Sequence, residues 1–364
     1  MKIKEVISFL ENFAPLELQE NYDNSGLIIG DENKEITNVL LCLDSVEEVV
    51  NEAIETNCNL IIAHHPIIFS GIKKINFRNH IDRVIVKAIK NDIAIYSMHT
   101  NLDNIKGGVN SKIADILSLK DQRILSPMKR SLRKLVVYVP KRSLEKVQTS
   151  LFNSGAGSIG NYKNCSFTAE GVGTFLPCEG SDPKLGQLGS QEIVEEVKIE
   201  VVFPKHIQKE VISSMKESHP YEEVAYQVYM IDNIYKDAGS GIVGLLENEV
   251  PSLEYLNMIK NLMQTECIRH TKLVKDSISK VAICGGSGSF LLSEAISLGA
   301  DIFITSDFKY HDFFNHEDEI IIADIGHYES EQFTKELIYN LLVNNFSKFA
   351  IRLSKINTNP INYI

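Results

Sequence analysis

Two adjacent histidines, His64 and His65, directly follow the apolar run 59–63 and precede a proline. Such a run is typical of a buried strand, and ligands of open α/β sheets collect at the carboxyl ends of strands. Because neighbouring side chains of an extended backbone point to opposite sides, each histidine could serve one of two adjacent metal ions. A pair of turn histidines, one packed and one solvated, explains the two residues equally well when they are taken alone.

Two further strand-like runs end in residues of the same chemistry. Asp103 follows the run 93–98 and offers a hard anionic oxygen ligand, although a lone aspartate is more often a turn or cap residue. His327 and Glu331 follow the run 320–325. On a helix that begins there they share one face, as metal-binding His/carboxylate pairs do. A solvated helix start is the structural alternative.

The run 301–305 is followed by the catalytic candidates, Asp307 and His311. Either side chain could act as a general base or orient a metal-bound water. Either could equally cap a helix.

A glycine-rich segment, 285–288, follows a strand-like run and opens a helical pattern. Backbone N–H groups in such a segment can cradle a phosphate. The segment matches neither the P-loop nor the dinucleotide-binding glycine pattern, so a tight turn is the better interpretation.

Taken together, these strand ends deliver three histidines and two carboxylates to one edge of a sheet. That donor set suits two first-row divalent ions: zinc, manganese or iron. Five ligands for two ions leave positions open for water or substrate, as catalytic sites do. We therefore predict two divalent ions per chain on His64, His65, Asp103, His327 and Glu331. A bridging carboxylate would let Glu331 serve both ions, with His64 and His327 mainly on one and His65 and Asp103 on the other.

The elements that must position these residues follow an α/β pattern. Residues 1–129 and 235–364 alternate strand and helix patterns, including a long amphipathic helix over 329–344, which predicts one discontinuous metal-binding α/β unit with largely parallel strands. Residues 130–234 instead show the order β-α-β-β-α-β of a ferredoxin-like (α+β) plan. Because the α/β pattern resumes after this segment, we predict that it is an inserted domain.

Composition narrows the possible environments and partners. The 364 residues carry a net charge of −11, which disfavours an extended nucleic-acid surface. The longest apolar runs are too short to span a bilayer, and the N-terminus lacks the pattern of a signal peptide. The six cysteines form no CxxC pair, so no zinc knuckle or thioredoxin-type site is indicated. A reducing, cytoplasmic location fits these features.

Several motifs of the chain resemble a known family. They are the segments 20–27 (ENYDNSGL), 64–66 (HHP), 99–103 (HTNLD), 285–288 (GGSG), 305–311 (TSDFKYH) and 326–331 (GHYESE). The set is similar, in order and over essentially the whole chain, to the metal-binding proteins called GTP cyclohydrolase 1 type 2 homologues. The segment 218–226 resembles the CutA/PII-like insert of the long bacterial members.

The resemblance implies a two-metal site on the five predicted ligands, with Glu331 bridging, and a homohexamer whose sites face an inner cavity. It also implies hydrolytic opening of the guanine imidazole ring of GTP, which a metal-activated water could begin. Two positions depart from the family. Tyr22 stands where members usually carry tryptophan, at an expected packing position, and Ser306 replaces a commoner glycine.

The sequence leaves two functions open. The first is a metal-dependent hydrolase of a nucleotide or related heterocycle, with Asp307 or His311 transferring a proton. The alternative is a non-catalytic, metal-responsive or regulatory assembly in which the PII-like insert binds a ligand or partner.

Overall fold

The computed structural model describes residues 1–314 and 318–364. Two compact units divide the chain: unit 1 comprises residues 1–126 and 237–364, and unit 2 comprises residues 127–236. That residues 130–234 form an inserted domain stays a prediction.

The helices and strands of the described residues are numbered in chain order. The α-helices are α1 (Ile3–Phe13), α2 (Glu47–Glu55), α3 (His80–Lys90), α4 (Thr100–Asp103), α5 (Val109–Ile116), α6 (Leu144–Asn153), α7 (Gln208–Ser218), α8 (Ser252–Leu262), α9 (Leu292–Ser297), α10 (His327–Glu331) and α11 (Thr334–Val343). The strands are β1 (Gly26–Ile29), β2 (Asn38–Cys42), β3 (Leu60–Ala63), β4 (Ala94–Ser97), β5 (Lys120–Met128), β6 (Leu132–Pro140), β7 (Phe167–Phe175), β8 (Glu192–Pro204), β9 (Tyr226–Ile231), β10 (Tyr235–Pro251), β11 (Arg269–His270), β12 (Ser277–Ser287), β13 (Ile302–Ser306), β14 (Ile321–Asp324) and β15 (Ala350–Leu353).

Unit 1 contains a five-stranded sheet in the order β1-β4-β3-β2-β15. Strands β15, β2, β3 and β4 are parallel, and β1 closes the edge antiparallel to β4. Every residue of β3 and β4 is buried, as expected for parallel strands covered on both faces. Helices α2 and α3 pack on this sheet through small and branched side chains such as Val50, Ala53 and Ala88. The chain therefore returns at its C-terminal end to complete the first sheet.

A six-stranded sheet, ordered β11-β14-β13-β12-β10-β5, completes unit 1. Its centre, β12-β13-β14, is parallel, whereas β10 pairs antiparallel with β12 and β11 antiparallel with β14. Helix α9 packs on it through Leu292 and Ala295, in one apolar cluster with Phe303 and Ile322. The fold is thus mixed α/β with several sheets.

Unit 2 has an antiparallel four-stranded sheet in the order β7-β8-β6-β9. Its elements follow one another as β-α-β-β-α-β, with α6 after β6 and α7 after β8. Alternate residues of the central strands, such as Val137 and Val201, pack with Leu151 of α6 and Met215 of α7. One face of the sheet therefore carries the core of this unit.

One sequence expectation about helices is wrong. The pattern over 329–344 predicted a single long helix, but α10 ends at Glu331 and α11 begins at Thr334. His327 and Glu331 are therefore the first and last residues of a separate short helix. Within the described residues, no helix is both long and apolar enough to cross a membrane.

Candidate metal centre

The five predicted ligands of unit 1 follow strands of two different sheets. His64 and His65 follow β3, and Asp103 ends α4, the short helix after β4 of the same sheet. His327 and Glu331 begin and end α10, which follows β14 of the six-stranded sheet. The carboxyl ends of parallel strands in both sheets thus supply the candidate centre.

The Glu331 carboxylate lies at the middle of this cluster. Its Oε2 atom is 2.9 Å from His65 Nε2, 3.1 Å from His327 Nε2 and 3.7 Å from His64 Nε2. Asp103 Oδ1 is 3.7 Å from His64 Nε2. The structure therefore brings the three histidines together around one oxygen of Glu331, with Asp103 beside His64.

Each imidazole is oriented by a contact of its Nδ1 atom. His64 Nδ1 lies 2.7 Å from the Met98 carbonyl oxygen, and His65 Nδ1 lies 2.8 Å from Asp44 Oδ1. His327 Nδ1 lies 2.7 Å from Asp307 Oδ2. When Nδ1–H donates to such acceptors, Nε2 is left with a free lone pair, the usual arrangement of metal-binding histidines.

Three of the side-chain atoms that could bind a metal have no hydrogen-bond partner in the protein. His64 Nε2, Asp103 Oδ1 and Glu331 Oε2 are buried and make no hydrogen bond. Three acceptor atoms that converge out of water are costly unless a cation lies among them. Two overlapping groups have donor atoms within 4.8 Å of one another: His64, His65 and His99, and His65, His327 and Glu331. The residues therefore fit a candidate metal site of His and Glu ligands.

Electrostatics in the cluster point the same way. Burial lowers the pKa of His65, but the nearby Asp44 and Glu331 carboxylates outweigh it and raise that pKa to about 9. Burial opposes the charge of His327 too, yet Glu331 and Asp307 raise its pKa to about 11. For His64 burial prevails and lowers the pKa. The carboxylates of Asp44, Asp307 and Glu331 thus stabilise positive charge within the cluster.

The two buried carboxyl groups are shifted in opposite directions. Burial and the neighbouring Glu331 raise the pKa of Asp103. Burial also works against ionisation of Glu331, but His327 and His64 outweigh it and lower its pKa. Glu331 is therefore the more firmly ionised of the two.

The glycine-rich segment makes room for Glu331. Gly286 has φ +61, and a Cβ atom there would lie 2.3 Å from Glu331 Oε1. Three backbone N–H groups of the segment already donate to side chains: Gly285 to Asn110 Oδ1, Gly286 to Ser330 Oγ and Gly288 to Thr305 Oγ1, at 2.8, 2.9 and 2.9 Å. Residues 285–287 continue strand β12, with an irregular register between Ile283 and Ser287, so the segment is neither the tight turn expected from sequence nor a free phosphate cradle.

The two catalytic candidates lie in different surroundings. Asp307 has φ +58, a left-handed conformation that aspartate tolerates, and its carboxylate accepts from Ser287 Oγ and contacts His327. It is placed to position His327. His311 is exposed on the Tyr310–Phe314 turn of 3-10 helix, with its ring beside those of Tyr310 and Phe314.

Sequence reasoning missed two parts of the site. Asp44, which orients His65, lies just past β2, so the strand-end rule that identified His64 would have found it. Asp23 contacts His99 Nδ1 at 2.7 Å and accepts from Thr100 N at 3.0 Å. Asp23 lies within the motif 20–27, but the motif gave it no role, because its partners are distant in sequence. The packing role expected for Tyr22 is wrong, since its side chain is 69% exposed.

A cavity of about 850 Å³ in unit 1 opens beside the cluster. His65, Asp103, His327 and Glu331 form part of its wall. The candidate ligands are therefore accessible to a small molecule.

These features define a mixed α/β protein with a candidate His/Glu metal site, and comparisons with known proteins give its family. Residues 1–360 match Duf34/NIF3 (NGG1p interacting factor 3), so the chain belongs to the Duf34/NIF3 family. A Bacillus subtilis (strain 168) protein named GTP cyclohydrolase 1 type 2 homolog is 40% identical over 99% of this chain and 98% of its own length. The resemblance inferred from the motifs is confirmed.

Solved structures agree with this assignment. A Bacillus cereus protein related to NIF3 is 38% identical, with a TM-score of 0.87 over 100% of this chain and 99% of that one. Staphylococcus aureus protein SA1388 is 31% identical, with a TM-score of 0.79 over the same shares.

Proposed function

We propose that this chain is a dinuclear metal protein with two divalent ions held by His64, His65, Asp103, His327 and Glu331. Glu331 bridges the ions. His65 and His327 serve one ion, because their Nε2 atoms lie 3.3 Å apart. His64 and Asp103, whose Nε2 and Oδ1 atoms are 3.7 Å apart, serve the other. This pairing differs from the one expected from sequence, which joined His64 to His327.

One observation carries the proposal: Glu331 Oε2 is buried, has no hydrogen bond, and faces three imidazole Nε2 atoms within 3.7 Å. A carboxylate in that position is the usual bridging ligand between divalent ions. The mixed imidazole and carboxylate set favours zinc, manganese or iron over magnesium or calcium.

The activity that fits this centre best is hydrolysis of a nucleotide or related heterocycle. Two bound divalent ions would supply Lewis acidity and lower the pKa of a water molecule. The chain's own residues orient the ligands: Asp44 holds His65, and Asp307 holds His327. The cavity beside them supplies room for a substrate. Proton transfer by Asp307 or His311 belongs to this proposal, and the name of the Bacillus subtilis relative supports cyclohydrolase-type chemistry.

A second candidate is a metal-responsive or regulatory assembly that uses unit 2. We take unit 2 to be an inserted ferredoxin-like, CutA/PII-like domain, on the strength of its element order and strand order. It contains a cavity of about 750 Å³ whose wall includes Tyr138, Glu196 and Tyr221. A ligand bound there would suit sensing rather than catalysis. The proposal also includes homohexameric assembly, which rests on the family resemblance. It includes a cytoplasmic location, which rests on the composition.

Metal analysis of the full chain tests the centre. After reconstitution with zinc, manganese or iron, we expect about two ions per chain in the wild type. His65→Ala and His64→Ala should each lose at least one ion. His270→Ala, a change of an exposed histidine outside the cluster, should keep both. A wild-type chain that takes up none of the three metals would overturn the proposal.

Hydrolysis assays on the same samples separate the two functions. The enzyme hypothesis expects product formation that disappears in Glu331→Ala. A metal-loaded chain that binds a ligand in unit 2 but hydrolyses no nucleotide or heterocycle would favour the regulatory assembly.

A further inference from the structure

The cavity beside the metal centre is acidic. Four carboxylate side chains, Glu20, Asp44, Asp103 and Glu331, line it. Its described wall contains four histidines, two of them proposed metal ligands, but no lysine and no arginine. The cavity therefore lacks the side chains that usually bind phosphate groups.

Bound metal would not reverse this balance. Two divalent cations would only match the four carboxylates of the wall, and they leave no excess positive charge. A nucleoside triphosphate, which carries several negative charges at neutral pH, would enter the cavity with most of them uncompensated. Like charges brought together in a partly desolvated site repel one another and weaken binding.

The glycine-rich segment offers no substitute for basic side chains. The N–H groups of Gly285, Gly286 and Gly288 are each used by a side chain of unit 1. A phosphate could accept from them only by displacing Asn110, Ser330 and Thr305. This is an independent argument against a polyphosphate at the site.

Aromatic side chains are abundant where basic ones are missing. Tyr22, Phe69 and Phe290 line the same cavity and are 69%, 53% and 62% exposed. Large exposed aromatic residues grouped around one cavity are typical of ligand sites. Their faces stack on planar rings with little dependence on which base is present.

We propose that the cavity takes an uncharged planar heterocycle, a base or a nucleoside, rather than a nucleoside triphosphate. The proposal rests on the proposed metal centre for any chemistry, but the charge and the aromatic wall decide the class of ligand. It narrows the class of substrate, because it excludes the nucleoside triphosphate that the name of the relatives suggests. The ring of such a ligand would lie beside the metal ligands and would be held by stacking on the aromatic side chains.

Binding measurements on the metal-loaded full chain test the class of ligand. The probes are guanosine, adenosine and cytidine, against GTP and inorganic triphosphate, by equilibrium dialysis at low and moderate salt. We expect guanosine to bind at least about tenfold more tightly than GTP, because the triphosphate meets an acidic wall. Inorganic triphosphate should not displace guanosine.

Variants of the aromatic wall provide the matched comparison. Phe69→Leu and Phe290→Leu should each weaken nucleoside binding at least about fivefold, through the loss of stacking. Phe167→Leu, which changes a 63% exposed phenylalanine of unit 2, should have no effect.

Several outcomes would overturn the proposal. They are GTP binding as tight as guanosine or tighter, displacement by inorganic triphosphate, no binding of any of the three nucleosides, or wall variants that alter the oligomeric state while nucleoside affinity is kept. Metal content is measured in every sample. A chain that binds no metal would overturn only the proposed dinuclear centre, since the relative affinities for guanosine and GTP can still be measured.

Discussion

His327 Nε2 lies 3.3 Å from His65 Nε2, although 262 positions separate the two residues and they follow strands of different sheets. Their Nδ1 atoms are turned away to Asp307 and Asp44. Two imidazole nitrogens that face each other beside a buried carboxylate need a proton or a metal ion between them. The predictions below follow from that requirement.

Replacing the central carboxylate should abolish the proposed two-ion centre. Glu331→Gln keeps the size of the side chain but removes the charge that faces three histidines. We expect affinity for at least one ion to fall about 100-fold or more, since loss of an outer-sphere partner alone costs 10- to 100-fold. Metal content after dialysis measures this. Glu329→Gln, a buried change on the same short helix, is the control and should keep both ions.

Asp307 should act through His327. Asp307→Ala removes the acceptor 2.7 Å from His327 Nδ1, so we expect metal affinity to fall about 10- to 100-fold while Glu331 remains in place. Asp312→Ala, a change nearby on the 3-10 turn, should leave affinity unchanged. A competition titration with a chromophoric chelator gives the two values. Equal affinities in both variants would remove the positioning role of Asp307.

Metal binding should release protons at neutral pH. In the metal-free chain, carboxylates outweigh burial and raise the pKa of His65 to about 9 and of His327 to about 11, from an ordinary value of 6.5. At least one of these facing imidazoles is therefore protonated at pH 7.5 and must lose its proton to bind metal, so at least one proton should leave and affinity should rise with pH.

The stability of the metal-free chain should have the opposite pH dependence. The raised pKa values stabilise the fold fully below pH 6.5, and this contribution is lost as pH rises through about 9 and 11. Chemical denaturation of the metal-free chain at pH 7 and at pH 10 measures this loss, and equal free energies of unfolding at the two pH values would contradict it.

The protons released on metal binding are measured by calorimetry in two buffers of different ionisation enthalpy. A heat of metal binding that is independent of the buffer would contradict the predicted release.

The sequence was sufficient for the parts of the site that follow strand ends. His64, Asp103 and His327 each come directly or shortly after an apolar strand, and that rule needs no tertiary information. The pairing of His65 with His327 could not be predicted, because it depends on how two sheets meet. The contact of Asp23 with His99 could not be predicted either, because the two residues are distant in sequence. The exposure of Tyr22 was not predicted, because residue type alone does not show which aromatic side chain faces a cavity.

The strand-helix alternation likewise predicted the parallel strands of both sheets but not the course of the last strand. Strand β15 lies at the edge of the first sheet and pairs in parallel with β2. Residues on β2 and β15 are far apart in sequence, so no local pattern identifies this partner. Leu40 and Cys42 of β2 are buried in the core of the sheet, and Asp44, just past this strand, contacts His65.

Gly286 should be essential to the proposed metal centre because it leaves space for Glu331, and this effect can be separated from backbone strain. A Cβ atom at Gly286 would lie 2.3 Å from Glu331 Oε1, whereas one at Gly160, which has a similar positive φ of +56, would meet nothing within 4 Å. Both Gly286→Ala and Gly160→Ala should lower the free energy of unfolding by about 1 kcal/mol or more through conformational strain. Only Gly286→Ala should also displace Glu331 and reduce bound metal below two ions per chain. Chemical denaturation and metal analysis on both variants separate the two effects, and a Gly286→Ala chain that holds both ions would show that Glu331 is not confined by this glycine.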